Sequence, residues 1–510
     1  MPIFKIAYLP PLLIYASAGV SGLTSIVGIF FIKDFLSLSA AFVASIGFWA
    51  GIPWALKMPI GFLIDRYWNL KQYFVYFGAF LVSISLLIMY GILVHKSIML
   101  QYLEIKVWFI LSSILTPVGY VLQDVVADAM TVEVVEPNFK NKSKIVKNED
   151  TKKEHTIVQL YGRFAIILGS LLVGLINFFI FKGINADYPK INLLYGKVYL
   201  YALIIPLISV SGIIMFNFLN KSKKINIKFN TTKLDYQIFI GSCVFVLFTI
   251  FLGTLKIFFS KEIILLSSLF LIAILMRLLI KDLKKEDQYT IVGTALIIFI
   301  FRAMPSPGAG LNWFEIDILG FNQTFFSILS IISASITLVG MLILRNVMMK
   351  TPIAKLFVIL SILSTILYFP SLFMYYELHK FTSIITNGLV DAKFIAILNT
   401  AVESPLAQVA MIPLLAWIAK NAPSKYKATF FAVFASFTNI ALSARELFTS
   451  YLNKIFIINR EVVDNQSKEI LIKADYSSLD NLLISLMVIT LIVPLTTIYF
   501  IQKTKFRSTE

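Results

Sequence analysis

Apolar runs of about 20 residues recur from one end of this chain to the other. At 1.5 Å of rise per residue, each is long enough to cross a hydrocarbon core of about 30 Å as a helix. In lipid every backbone N–H and C=O must be bonded within the protein, so only helices and closed barrels can span it. These runs are uniformly apolar and do not alternate with period two, which excludes a transmembrane barrel. Composition agrees. Of the 510 residues 58% are hydrophobic and 14% charged, against about 25% charged in soluble domains, and mean hydropathy is +0.84. The expected fold is an all-α, polytopic membrane protein.

The runs predict helices near 9–32, 39–60, 72–95, 107–134, 157–181, 196–219, 237–258, 262–280, 289–318, 321–344, 354–377, 394–419, 427–452 and 480–502. That is about 14 transmembrane helices, arranged as six, two and six. The expected domains are a six-helix bundle over 1–220, a basic cytoplasmic linker with an inserted helix pair over 221–288, and a second six-helix bundle over 289–510. The inserted pair carries ionisable groups only near its ends and reads as a lipid-facing hairpin without a transport role. The first run exceeds a signal-peptide core and no small-residue cleavage site follows it, so it is expected to stay as a helix. The loop 453–479 mixes Glu, Asp and Lys and is expected to be solvated.

A net charge of +17 would suggest nucleic acid in a soluble chain. Here the basic residues sit mostly in short loops, where they set topology and meet lipid headgroups, so no nucleic-acid partner is expected. With the N-terminus in the cytoplasm, the inward loops and tails hold 26 of the 45 Lys and Arg residues. Both termini are therefore expected inside, in a cytoplasmic (inner) membrane. One cysteine, Cys243, permits no disulfide framework. His95, His155 and His379 make no metal-spaced cluster, and no Gly-rich phosphate loop is present. No metal, cofactor or enzymatic activity is expected. A membrane-embedded enzyme, the alternative from another class, lacks a catalytic set, and a channel would want rings of like charge.

Several charges nevertheless lie inside the apolar runs, where each is costly unless paired or facing a wet cavity. Asp124 and Asp128 are four apart and share a helix face, with Glu133 five residues on. Arg163 lies at a similar depth in the next run. This set points either to an ion pair between Arg163 and an Asp or to a substrate or proton role. Lys57 and the Arg445-Glu446 pair stand near span ends and read as side chains reaching for the interface. The run 289–318 is interrupted by Met304-Pro305-Ser306-Pro307-Gly308-Ala309-Gly310, which breaks a helix. Broken backbone at membrane depth marks transporter sites. Arg302 precedes the break and lies near the midplane, where an unpaired arginine costs at least about 2.5–3.5 kcal/mol. Glu403 and Asn439 are also near mid-span. Arg302 is expected to bind a carboxylate or phosphate of the solute, with Glu403 pairing with it or carrying a coupling proton. Arg163 and Asn439 complete the candidate solute-binding set.

Gly61-Phe62-Leu63-Ile64-Asp65-Arg66 resembles the cytoplasmic signature of the major facilitator superfamily, Gly-x-x-x-Asp-Arg. The resemblance implies two six-helix bundles that rock about a central site, with Asp65 and Arg66 as a gating latch. The stretch Asp124-Val-Val-Ala-Asp128-Ala-Met-Thr-Val-Glu133 resembles the fourth-helix motif of the folate–biopterin transporter family. Segments around Pro53-Trp54, Pro305-Ser306-Pro307 with Leu319-Gly320-Phe321, and Gln408 to Asn439 are similar to others of its motifs. Muropeptide permeases and acetyl-CoA transporters are related alternatives, with similar Gln-Asp and Asp-Arg patterns. The resemblance implies a secondary transporter of a folate- or pterin-like solute, with protons as a coupling ion. Asp124, Asp128 and Glu133, with Asp65 and Arg66, are the candidates for proton coupling or gating.

Overall fold

Prolines and glycines decide where the long apolar runs bend. The structure is a computed structural model. It describes every residue except 1–4, 36–38, 56, 58–59, 62–63, 65–66, 68–69, 136–143, 185–190, 221–239, 242, 245–246, 249–250, 253–258, 282, 345–350, 422–426, 464–469 and 509–510. In chain order its main helices begin with α1 (Leu9–Val20), α2 (Ser25–Phe35), α3 (Ala40–Ala55), α4 (Lys71–Val94), α5 (Ile105–Val135) and α6 (Lys144–Phe181). They continue with α7 (Ile191–Tyr201), α8 (Ile204–Asn220), α9 (Ser260–Ile280), α10 (Lys285–Arg302), α11 (Ala309–Asp317) and α12 (Gln323–Ile343). The last are α13 (Ile353–Ile366), α14 (Phe369–Tyr375), α15 (Leu378–Ile385), α16 (Ala392–Asn421), α17 (Lys427–Ile455) and α18 (Leu479–Gln502).

Among the described residues nine helices are long and apolar enough to cross a membrane. α3, the broken pair α10 and α11, α16 and α17 cover four further expected spans. The expected span 237–258 lies largely outside the described residues. Four expected spans are split. The run 9–32 divides into α1 and α2 at the tight turn Ser21–Thr24. The run 196–219 divides into α7 and α8, with Pro206 in the first turn of α8, where a missing N–H is tolerated. Pro370 opens α14 in the same way, and the Pro305–Gly310 break divides α10 from α11.

Contacts divide the chain into two compact units. One comprises Met1–Gly28 with Lys57–Ile240, the other Ile29–Leu56 with Gly241–Glu510. In the first unit α1 lies along α6, and α4 lies along α5. A side chain at Gly19 would run into the carbonyl of Ile166, and one at Gly162 would reach the Tyr15 ring at 2.9 Å. Small residues let two backbones approach closely, which is how helices hold together in lipid. Between α4 and α5 the buried Ser85 hydroxyl meets that of Ser112 at 2.7 Å and that of Thr116 at 2.6 Å. This polar clasp fixes the rotation of α5, and with it the face that carries Asp124 and Asp128.

In the second unit α3 runs antiparallel to α17 along a seam of small residues. A side chain at Gly47 would meet Glu446, and one at Gly51 would meet Ser443. Ser450 donates to the Ala41 carbonyl at 2.8 Å, and Asn439 to that of Trp54 at 3.1 Å. α9 also packs on α17, burying Ile264, Ser268, Ile272 and Leu275 on one side. Its Lys261 donates to Ser45 of α3, so this half of the inserted pair is docked and not merely lipid-facing.

The segment after α17 is not simply solvated either. Val462–Val463 and Ile470–Ile472 pair as a short antiparallel ribbon, extended by a bridge between Asn459 and Asp475. Its stem buries Ile458 and Tyr476 in a cluster with Trp313, Phe314, Leu479, Leu482 and Leu483. Two apolar side chains at fixed points of a mixed-charge loop are enough to pin it.

Candidate functional site

Two groups of charges lie within the helices, one in each unit. In the first, the i, i+4 spacing puts Asp124 and Asp128 on one face of α5. Lys57 stands just past α3 and forms an ion pair with Asp124. Its ammonium is 3.6 Å from the Asp128 carboxylate. On the far side of Asp128, the Tyr15 hydroxyl of α1 donates to its carboxylate at 2.5 Å. Arg163 of α6 is in electrostatic reach of Tyr15, Lys57 and Asp128. The arrangement holds two cations and two carboxylates, which keeps the ionised group neutral. The side chains of Lys57 and Asp124 are 13% and 19% exposed, but that of Asp128 is 41% exposed. Asp128 is more exposed than the ion pair beside it.

The expectation that Lys57 reaches for the interface is corrected here, because its tertiary partners hold it inside. It shares the Asp124–Asp128 face with Arg163, which remains within electrostatic reach of Asp128. An ammonium with three donors can bridge two carboxylates on one helix face. Tyr15 escapes a sequence reading altogether, because a tyrosine in an apolar run carries no charge signal. Asp65 and Arg66 lie outside the described residues, and Glu133 stands near the end of α5 with its side chain outside them.

The second group surrounds the helix break. Gly308 has φ of +71°, a conformation that L side chains rarely adopt. The peptides that the break frees from helical bonding are bonded by α17. The Ser306 N–H donates to the Thr449 hydroxyl at 3.0 Å, and the Asn453 amide to the Pro307 carbonyl at 3.3 Å. α11 then carries Glu315 back into the unit, within electrostatic reach of Glu403 on α16. Arg445 of α17 is in reach of Glu403, Glu446 and the Tyr368 hydroxyl. Glu403 itself is exposed while Glu315 and Arg445 are half-buried. α16 is held in register by a Ser404–Ser333 hydroxyl bond of 2.9 Å and by Gly340, which leaves room for Pro405.

Of the residues expected to bind solute, Glu403 therefore meets Arg445 as its neighbouring cation. Arg302 closes α10 as its last residue, half-buried, where a cation complements the helix dipole. Asn439 directs an amide N–H to the Trp54 carbonyl in the α3–α17 seam. Arg445 does not simply extend to the interface, since Glu403 and the Tyr368 hydroxyl lie within its electrostatic reach. Glu315 is the residue a sequence reading misses. The signal that could have found it is the pair of carboxylates, Glu315 and Asp317, that follows the break in a mostly apolar run.

Solved structures share this fold. A POT family transporter in complex with a thioalcohol-conjugated peptide is 13% identical, with a TM-score of 0.66 over 99% of this chain and 96% of that one. The nucleoside transporter NupG, solved as a point mutant, is 12% identical with a TM-score of 0.56, covering 97% of this chain and 99% of that one. The inward-open xylose transporter XylE from E. coli is 15% identical with a TM-score of 0.51, covering 98% and 97%. No curated protein sequence matches the chain. The polytopic helical architecture is that of the major facilitator superfamily, and the model of the BT1 family matches residues 18–505, so the chain belongs to the BT1 family.

Proposed function

We propose that this chain is a secondary active transporter that moves a small organic solute by alternating access, with a proton as the coupled ion. The observation that carries the reading is the Lys57–Asp124–Asp128–Tyr15 constellation inside the first unit. Intramembrane ionisable residues are expensive and default to transport or proton relay. A proton from water adds to an Asp128 carboxylate oxygen and neutralises it. Lys57 then faces Asp124 alone and the balance of the group changes. This gives one proton a mechanical consequence.

Proteins of similar fold are described as carrying peptides, nucleosides and xylose, all small and polar. The Asp-x-x-x-Asp-Ala-x-x-x-Glu stretch ending at Glu133 favours a folate- or pterin-like solute. Such a molecule brings a flat ring and, in folates, carboxylates. Arg302 and Arg445 are the cations of the second unit suited to a carboxylate, with Glu403 and Glu315 suited to ring amino groups. The distribution of Lys and Arg supports a cytoplasmic membrane with both termini inside.

The test is uptake into membrane vesicles of labelled folate, biopterin and anhydro-muropeptide in parallel, with and without an imposed proton gradient. Concentrative uptake of folate or biopterin that collapses with the gradient is expected. Uptake of the muropeptide alone moves the assignment to the permeases, and equilibration indifferent to the gradient refutes proton coupling.

A further inference from the structure

α15 is amphipathic the wrong way round for a protein in water. At about 100° per residue, Leu378, Phe381, Ile384 and Ile385 fall on one side of it, and Leu389 follows beyond the left-handed turn at Asn387 and Gly388. These are the exposed positions, at 45%, 64%, 77%, 64% and 67%. His379, Thr382, Ser383 and Thr386 fall on the opposite, less exposed side. The polar side is occupied by its own loop: the Thr382 hydroxyl donates to the Val390 carbonyl at 2.8 Å, and the Val390 N–H to the Thr386 hydroxyl at 2.9 Å. No residue of this helix is buried.

We propose that α15 lies in the plane of the membrane surface, its apolar face sunk into the boundary between lipid headgroups and acyl chains. The neighbouring elements fix where it sits. Ile353–Tyr375 is long and apolar enough to cross a membrane, and α16 starts at Ala392, so the connection must emerge and re-enter on one side. The exposed apolar surface continues onto both flanking helices, through Phe369 at 54% and Leu398 at 56%. An amphipathic helix beside a membrane span, with its apolar side exposed and its polar side turned away from it, suits the headgroup–acyl boundary. The local charges cancel. Glu377 pairs with Lys380 at 2.6 Å, and Asp391 stands two residues from Lys393. The occupant is therefore lipid in general and not anionic lipid in particular.

The inference rests on the membrane-spanning reading, and the experiment separates the two. Cys243 is the single cysteine, so Cys243→Ser gives a full-length background for single spin labels at Phe381→Cys, Ile384→Cys and Ile385→Cys. Lys380→Cys marks the polar margin, and Phe270→Cys on α9 serves as a transmembrane control. The proteins are reconstituted in phosphatidylcholine vesicles, with and without added phosphatidylglycerol. At 381, 384 and 385 oxygen is expected to collide with the label several-fold more often than a water-soluble nickel chelate does. The order reverses at 380, and both lipid mixtures give the same result. Higher nickel than oxygen collision at 381, 384 and 385 places the face in water and overturns the proposal. Low collision with both reagents means that protein covers it, a second copy included, and also overturns it. Loss of oxygen preference at 270 as well would overturn the membrane reading itself.

Discussion

The hydroxyl of Tyr15 on α1 donates to the carboxylate of Asp128 on α5 at 2.5 Å, across 113 residues of sequence. The Tyr15 ring is held by the close approach of α1 to α6 at Gly162, one residue before Arg163. Packing of small residues thus sets the position of a polar group two helices away.

The Lys57–Asp124 pair gives the first prediction. Removing one partner of a buried ion pair leaves an uncompensated charge, at a cost of about 3–5 kcal/mol. Lys57→Met should lower the thermal unfolding temperature of the detergent-solubilised protein markedly. The double substitution Lys57→Met with Asp124→Asn should recover much of that loss while leaving uptake impaired. A double variant no more stable than Lys57→Met alone would show that the pair carries little of the stability.

Gly19 gives the second. Even one methyl group there runs into the backbone of Ile166, which has no flexible end to move aside. Gly19→Ala should destabilise by about 1–3 kcal/mol, the usual range for overpacking, and Gly19→Val by more. Gly28, with open space around it, should accept alanine with unchanged melting. Equal tolerance at both positions in a thermal-shift series would contradict the seam.

Thr449 supplies the third. Its hydroxyl accepts the Ser306 N–H, and a buried donor left without an acceptor costs about 1–3 kcal/mol. Thr449→Val should therefore be destabilised and Thr449→Ser nearly normal. Hydrogen exchange at Ser306 reads the effect directly, faster in the valine variant only.

How much of this is legible in the sequence depends on the range of the signal. Asp124 and Asp128 declare a shared face because four residues make one turn. Pro305, Pro307, Gly308 and Gly310 declare a break because proline fixes its own φ and lacks an N–H, while glycine frees its backbone to leave the helix. Lys57 cannot be read the same way. A lysine near a span end looks like an interface residue until the partner helix, 67 residues on, is placed beside it. Thr449 and Asn453 are neutral and common, and nothing local marks them as acceptor and donor for peptides more than 140 residues earlier. Glu315 is hidden because its nine-residue helix merges with a longer apolar run.

A fourth prediction concerns transport. Arg302→Ala, Arg445→Ala and Glu403→Gln should each reduce uptake at normal expression, and Glu315→Gln should do the same. Near-normal uptake in all four would reject the second unit's charges as solute contacts and leave them a structural role.

The ribbon supplies the fifth, and its sign follows from Asp475. The Ser477 hydroxyl and its N–H both donate to the Asp475 carboxylate, the latter at 2.9 Å, and hold it below the usual aspartate range. A carboxyl depressed in the folded state favours that state above its unfolded value and stops doing so as pH falls through the folded value. The turn at 475–477 should therefore stay protected from hydrogen exchange at neutral pH and open only below about pH 4. Asp475→Asn should abolish that acid step, a persisting step assigning it to another group.

α11 is gripped at both margins. Thr449 and Asn453 hold the peptides that lead into it, while Ile458 fills the space beside Gly310 and Tyr476 donates to Asp317 at 2.5 Å. All four gripping residues belong to α17 or to the chain that follows it. A tilt of α17 must therefore tow this short rod along, so the flaw in the helix acts less as a free hinge than as a coupling rod between neighbouring segments.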